Sequence, residues 1–190
     1  DTFNYTLPQC RTDFEAADTC EFTSPGVNPG SRTFNLVEAI TISSDVFFYK
    51  LGAEGFFEEP RGPEGDESIQ TMARRFGFGS ATAIQVPFEK AGVVPDRAYL
   101  DEGFEAGRFI KNGDQWFAGD TVLLSIGQGE LLATPMQLAN GYASIANGGE
   151  LFQINTALRI VSHDGESDVE FGPRSLGAID VDPAHLAEVE

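Results

Sequence analysis

The sequence predicts a mixed α+β fold, rich in short helices and carrying one small β hairpin. Three observations predict it. Apolar residues recur every three to four positions behind polar caps between residues 33 and 51. Thr134-Pro135 starts a second run of that period, which ends at Gly148-Gly149. From Leu151 a β-type stretch turns back through His163-Asp164-Gly165.

Residues 1–32 are dominated by the turn formers Ser24-Pro25-Gly26 and Asn28-Pro29-Gly30, and are expected to be irregular. Thr33 or Asn35 then caps a helix carrying Leu36, Val37 and Ile40, and Val46, Phe47, Phe48 and Leu51 continue in a second helix. Between them, Thr41-Ile42-Ser43-Ser44-Asp45 breaks the pattern, because hydroxyl side chains compete for backbone hydrogen bonds; Ser44 or Asp45 can cap the second helix. Gly52 and Gly55 are expected to weaken that second helix toward its end, and residues 58–65 read as a loop before a helix over Ser68–Phe76.

Residues 77–95 suit short extended pieces punctuated by glycine and proline, while 96–120 fit no single pattern. Val122–Ile126 is an apolar run ending in Gly127-Gln128-Gly129. In the helix from Pro135, the apolar residues Met136, Leu138, Ala139, Tyr142, Ala143 and Ala146 form the expected buried stripe. Leu151–Val161 and Val169–Phe171 form the two arms of the hairpin, with Gly165 supplying positive φ, and Pro183–Glu190 is helix-like.

Thirty acidic residues against twelve basic ones give a formal charge of −18, which argues against nucleic acid or an anionic membrane surface as partner. No run approaches the roughly 20 apolar residues that span a bilayer, and no basic-then-apolar leader is present, so any membrane anchor is expected upstream. Both ends read as cut, which predicts an interior piece of a longer chain. Cys10 and Cys20 lack Cys-x-x-Cys spacing and lie far from His163 and His185, so no metal site is expected; a short-loop disulfide in an oxidising compartment is the preferred reading, with two free thiols the alternative. Ser162-His163-Asp164 reads as a polar hairpin turn rather than a triad. Asn4-Tyr5-Thr6 is a glycosylation triplet of a kind common by chance.

The chemistry-bearing pattern is Ser43-Ser44-Asp45 with its surroundings. Asn35–Ile40 precedes it and Val46–Gly52 comes after it; further on stand Phe76-Gly77-Phe78-Gly79, Trp116, Gly119-Asp120-Thr121, and Ser125-Ile126-Gly127-Gln128-Gly129 leading into Leu132–Ala139. Together these resemble the serine D,D-transpeptidase domain of class B penicillin-binding proteins, of the elongation type, in which Ser-x-Asp stands where related serine acyltransferases have Ser-x-Asn. The resemblance is dense from Thr33 to Gly149 and poor before residue 30.

The resemblance implies the serine β-lactamase and transpeptidase fold, an antiparallel sheet flanked by helices with a helical subdomain, of which this chain is mostly the subdomain. It divides the chain into a loop region, 1–32, and a partial transpeptidase domain, 33–190. It implies serine acyl transfer between peptidoglycan stem peptides, inhibition by β-lactams, no cofactor, an extracytoplasmic location behind an N-terminal membrane helix, and a membrane glycosyltransferase as partner. Ser43 and Asp45 become the catalytic candidates, Ser43 relaying protons and Asp45 orienting the substrate amide. Ser44, Gly127, Gln128 and Gly129 become substrate-binding candidates.

A carboxylate accepts hydrogen bonds but donates none while ionised, so Asp45 would have to meet a donor. The Ser-x-x-Lys and Lys-Thr-Gly boxes are absent: Lys50-Leu51-Gly52, Lys90-Ala91-Gly92 and Lys111-Asn112-Gly113 all precede the Gly127 segment, on the wrong side of it. The chain alone is therefore expected to be inert. A non-catalytic penicillin-binding sensor or scaffold is the alternative of another class, and a β-lactam hydrolase a weaker third.

Overall fold

Helix α1 (Leu36–Thr41) starts on a capping box, in which the Asn35 side chain accepts the Glu38 N–H at 2.8 Å and the Glu38 carboxylate accepts the Asn35 N–H at 3.2 Å. Asn35, not Thr33, is thus the cap. After the break at 42–44, α2 (Asp45–Phe57) runs through Gly52 and Gly55 to its end. The computed structural model describes residues 2–6, 21–25, 35–57, 67–84, 86–110, 113–165 and 167–189. They fall into two compact units, Asp1–Ile69 with Pro95–Glu130, and Gln70–Val94 with Leu131–Glu190.

In the first unit α2 packs against α5 (Ala118–Leu124), burying Tyr49 and Ala53 against Ala118 and Val122, with Val46, Phe56, Phe57 and Ile126 around them. Gly52 permits the close approach: a Cβ there would lie 2.8 Å from Ser125 Cβ and 3.2 Å from the Thr121 carbonyl oxygen. The glycine expected to weaken α2 is therefore the contact point of the helix pair. The ambiguous stretch 96–120 resolves into α4 (Arg97–Glu105), capped by Asp96 on the Tyr99 N–H at 2.7 Å, then a short 3-10 turn at Gly113–Gln115, then α5. Trp116 is buried and donates its indole N–H to Thr121 Oγ1 at 2.9 Å.

Within the segment expected to be irregular, β1 (Thr2–Thr6) and β2 (Glu21–Pro25) pair antiparallel, Thr2 opposite Pro25 and Thr6 opposite Glu21. The loop reading of 1–32 missed this pair, since turn residues outnumber β-formers and the pairing spans a long connection. Cys10 and Cys20 lie outside the described residues.

The second unit contains most of α3 (Ser68–Arg75), the loop 77–94, α6 (Pro135–Ala146), the remaining strands, and α7 (Pro183–Ala187). Among its described residues the loop holds no strand; Val93 and Leu132 form an isolated antiparallel bridge. The stretch 151–161 is two strands rather than one. β3 (Glu150–Phe152) pairs with β6 (Ser175–Ala178), while β4 (Arg159–Val161) pairs with β5 (Ser167–Glu170) as the expected hairpin, Gly165 at φ +88° in its turn. Leu151, Ile179 and Leu186 form the core, backed by Phe76, Ile145 and Val181.

Helix α6 reverses the expectation made for it. Its buried residues are Gln137, Gly141 and Ser144, at i, i+4 and i+7, whereas Met136, Leu138, Ala139, Tyr142, Ala143 and Ala146 are all exposed, Tyr142 to 74%. The inward face is held by directional bonds. Gln137 Nε2 donates to the carbonyls of Ser80 at 2.7 Å and Ala91 at 2.6 Å, and its Oε1 accepts the Thr134 N–H at 2.9 Å. Gly141 lets the Phe78 ring lie against the helix.

A second clamp holds the same loop. The Glu89 carboxylate accepts the Thr82 N–H at 2.6 Å and the Thr82 hydroxyl at 2.5 Å. That hydroxyl, helped by the backbone N–H groups of Thr82, Ile84 and Ala83 and opposed by partial desolvation, holds the Glu89 carboxyl below the usual carboxylate range. A lowered folded pKa means that the contribution is present above the ordinary value of about 4.5 and lost as pH falls through the folded value. Glu89→Gln should thus lower the loop's protection above about pH 4.5 and abolish its further fall below that pH, read by amide exchange at Thr82 and Ile84; an unchanged acid profile would refute the clamp.

Candidate functional site

Ser43-Ser44-Asp45 is the joint between α1 and α2. The Ser44 N–H donates to the Ala39 carbonyl at 2.9 Å and the Ser43 N–H to the Ile40 carbonyl at 3.1 Å, a six-residue bond over a shorter one, with Ser43 left-handed at φ +54°. This is a Schellman end, which places one left-handed residue just past the helix and satisfies its last carbonyls. Ser43 is exposed; Ser44 and Asp45 are half-buried. The Phe47 N–H reaches Ser44 Oγ at 3.4 Å and the Ser44 carbonyl at 3.2 Å, so Ser44 rather than Asp45 caps α2.

The same pair of bonds closes four other helices. Phe78 and Gly77 donate to Ala73 and Arg74 after α3; Arg108 and Gly107 to Gly103 and Phe104 after α4; Gln128 and Gly127 to Leu123 and Leu124 after α5; Gly149 and Gly148 to Ser144 and Ile145 after α6. In each the left-handed position is glycine, with φ between +68° and +84°. Among the described helix ends of this type, Ser43 stands where the other four have glycine. A left-handed residue with a Cβ costs roughly 1–2 kcal/mol.

The Gly127-Gln128-Gly129 segment is thus the cap of α5, continuing into a second left-handed glycine, Gly129, at φ +76°. Among the described residues, no atom beyond its own chain neighbours lies within 4 Å of a Cβ placed on Gly127, so that glycine is set by backbone conformation and not by crowding. All three residues are exposed. Helices α2 and α5 run in opposite directions: Phe48 meets Ser125 and Gly52 meets Thr121, while Ala53 clusters with Ala118 and Val122. The Ser43 turn and the Gly127 turn therefore lie at the same end of the helix pair, about 80 residues apart in the chain but within one unit.

Asp45 opens α2 at its first turn, where the helix dipole favours a negative charge. Burial, and then the Asp45 charge one turn away, push the Tyr49 phenol up from its usual range. Among the described residues, no cluster of three or more His, Cys, Asp or Glu could hold a metal ion. Ser162 bonds Asp164 in the hairpin turn with His163 exposed beside them. Sequence reasoning missed Ser125, whose hydroxyl bonds the Phe48 carbonyl at 2.9 Å and the Val122 carbonyl at 2.7 Å; its place two residues before Gly127 was the available signal.

A family model described as the penicillin binding protein transpeptidase domain matches residues 13–190, and the chain belongs to that family. The peptidoglycan D,D-transpeptidase MrdA of Salmonella typhimurium is 30% identical over 155 residues, 82% of this chain and 22% of that protein. The chain thus spans about a fifth of the length of this curated relative. Among solved structures, Pseudomonas aeruginosa PBP2 in complex with WCK 5153 is 28% identical with a TM-score of 0.64, covering 98% of this chain and 34% of that one. A structure described as a peptidoglycan synthase complex coordinating polymerization and crosslinking is 26% identical with a TM-score of 0.63, covering 99% and 27%. The fold is that of the penicillin-binding transpeptidases, as the resemblance implied.

Proposed function

We propose that these residues form one wall of the active site of an elongation-type peptidoglycan D,D-transpeptidase, which cross-links stem peptides by serine acyl transfer and is acylated by β-lactams. The observation that carries this reading is Ser43: a side chain is kept at the one helix end of its type where glycine would be the relaxed choice. Ala83, Phe88 and Asp180 are left-handed too, but among the described residues only Ser43 combines that strain with a helix end and a place in the Ser-x-Asp box, and such strain clusters at functional sites. Its hydroxyl is exposed, at the end of the helix pair that also presents Gly127-Gln128-Gly129.

In this reading the nucleophilic serine and its lysine stand in a Ser-x-x-Lys box outside residues 1–190, and a Lys-Thr-Gly strand supplies oxyanion donors. The serine attacks the penultimate D-alanyl carbonyl, D-alanine leaves with a proton, and an amine then takes the acyl group. Ser43 passes the proton between lysine and the leaving or attacking nitrogen. Asp45 accepts from an N–H of the bound peptide or the incoming amine, the only role open to an ionised carboxylate. Ser44, Gly127, Gln128 and Gly129 shape the floor of the cleft.

Residues 33–190 are then part of the transpeptidase domain, which the family match extends back to residue 13, and Cys10 and Cys20 form a disulfide in the segment before residue 33. The likeness to a peptidoglycan D,D-transpeptidase supports a place in the cell envelope, and the likeness to a complex that coordinates polymerization with crosslinking supports a membrane glycosyltransferase partner; an N-terminal membrane helix outside these residues belongs to the same proposal. The exposed apolar side of α6 is covered by the rest of the domain. Two measurements test the reading. A labelled penicillin should attach covalently to the full-length protein and not to the isolated 190-residue chain, which should also bind a hydrophobic dye. Covalent labelling of the isolated chain would remove the nucleophile from the missing box.

A further inference from the structure

We propose that Ser125 is a positioning residue for this reaction, locking the Ser43 turn and the Gly127 turn into one rigid end of the α2–α5 pair; the inference rests on the reading of Ser43 as the proton relay. Ser125 Oγ lies 2.9 Å from the Phe48 carbonyl and 2.7 Å from the Val122 carbonyl of its own helix. One hydroxyl proton serves both acceptors, so the bond is shared across the two helices. Phe48 stands three residues after Asp45, about 4.5 Å along the axis, and Ser125 two residues before Gly127. The bridge thus lies within one helical turn of Asp45 and of Gly127, and within about a turn and a half of Ser43.

The neighbouring residues are arranged around that bridge. Gly52 is the residue whose N–H the Phe48 carbonyl serves in the helical pattern, and a Cβ on it would meet both Ser125 Cβ at 2.8 Å and Oγ at 2.9 Å. Glycine at 52 clears the path by which the hydroxyl reaches a carbonyl of the partner helix. Tyr49, Ala53, Ala118 and Val122 already supply apolar packing between α2 and α5. Ser125 adds direction: apolar contacts tolerate a small slide of one helix along the other, and a hydrogen bond to one named carbonyl does not. A slide of about 1 Å would shift Ser43 against any group that Gly127-Gln128-Gly129 holds, a displacement that costs on the order of 10²-fold in rate.

The test uses three variants of the full-length protein, with acylation by a fluorescent penicillin resolved into a binding constant and a limiting rate. Ser125→Ala should lower the limiting rate about 10- to 100-fold, leave the binding constant within about two-fold, and shift the melting temperature little. Gly52→Ala should lower both rate and melting temperature. Gly52→Ala combined with Ser125→Gly removes the colliding Cβ, and should regain most of the melting temperature while staying slow. A role in packing alone predicts that rate returns with stability in the double variant, and that result, or wild-type acylation by Ser125→Ala, overturns the proposal. Ser43→Ala is run beside them: if it acylates normally, the proton-relay reading fails and takes this inference with it. If it is slow while Ser125→Ala is normal, only the positioning role fails.

Discussion

Replacing Ser43 with glycine in the full-length protein should raise its melting temperature by about 1–3 °C while lowering acyl transfer about 10²–10⁴-fold. The first half comes from the backbone. Ser43 sits at φ +54°, and relief of a left-handed Cβ is worth roughly 1–2 kcal/mol, offset by about 0.5–1 kcal/mol for the extra freedom glycine has when unfolded. The second half comes from losing the hydroxyl that carries the proton in the proposed reading. Ser43→Ala is the matched control, losing the same hydroxyl but keeping the strain, so it should be equally slow without being more stable. The two substitutions separate stability from activity at one atom, by calorimetry and acylation kinetics on the same preparations. A destabilised glycine variant would mean that the Ser43 side chain makes a structural contribution larger than its strain.

The second large effect is expected at Gln137, whose side chain is almost wholly enclosed, 1% exposed. Gln137→Leu keeps the volume roughly constant and strips the Ser80 and Ala91 carbonyls and the Thr134 N–H of their partner. These three groups are only part-buried, so each loses less than the roughly 1–3 kcal/mol of a fully buried unpaired group, and a total loss of about 2–3 kcal/mol is expected, large for a single substitution. Urea unfolding of the full-length protein would measure it. By contrast Leu138→Gln, the neighbouring change on the outward side of α6, should cost far less unless the rest of the domain covers that side, so comparing the two also reports on the cover. A near-neutral Gln137→Leu would show that the loop at 80–91 is held by other contacts.

How legible each part was in the sequence depends on how local its cause is. The breaks and caps at Asn35, Ser44 and Thr134-Pro135, and the Gly165 turn, are set by residues within four positions of one another and could be read from the string, Asn35 and Ser44 only as one of two candidates each. Helix α4 was not legible because Gly103 and Gly107 look like breakers. In the fold Gly103 instead seats the Phe109 ring, and Gly107 is the left-handed cap. The β1–β2 and β3–β6 pairs depend on partners 15 to 28 residues away, and β6 is the small, unremarkable Ser175-Leu176-Gly177-Ala178. The α6 stripe was read backwards because burial of apolar residues was assumed, where a glutamine with three partners took the inside.

In the candidate site, the box and the glycine turn could each be read as a segment, but their meeting at one end could not. That depends on the antiparallel pairing of α2 with α5 and on Ser125, whose role is visible only once Phe48 is beside it. The strain at Ser43 was equally hidden, since nothing in Ser43-Ser44-Asp45 as a string says which serine is left-handed.

The inward bonds of Gln137 also make α6 a lever. Turning the helix by a single residue position swings the side chain about 100° and breaks its bonds to the Ser80 and Ala91 carbonyls together, so the helix has one permitted rotation. Val93 and Leu132, bonded to each other at 2.7 and 3.0 Å on either side of this junction, extend the same rigid piece. A push on the outward side of α6 is therefore delivered to the backbone at residues 80 and 91 without slack.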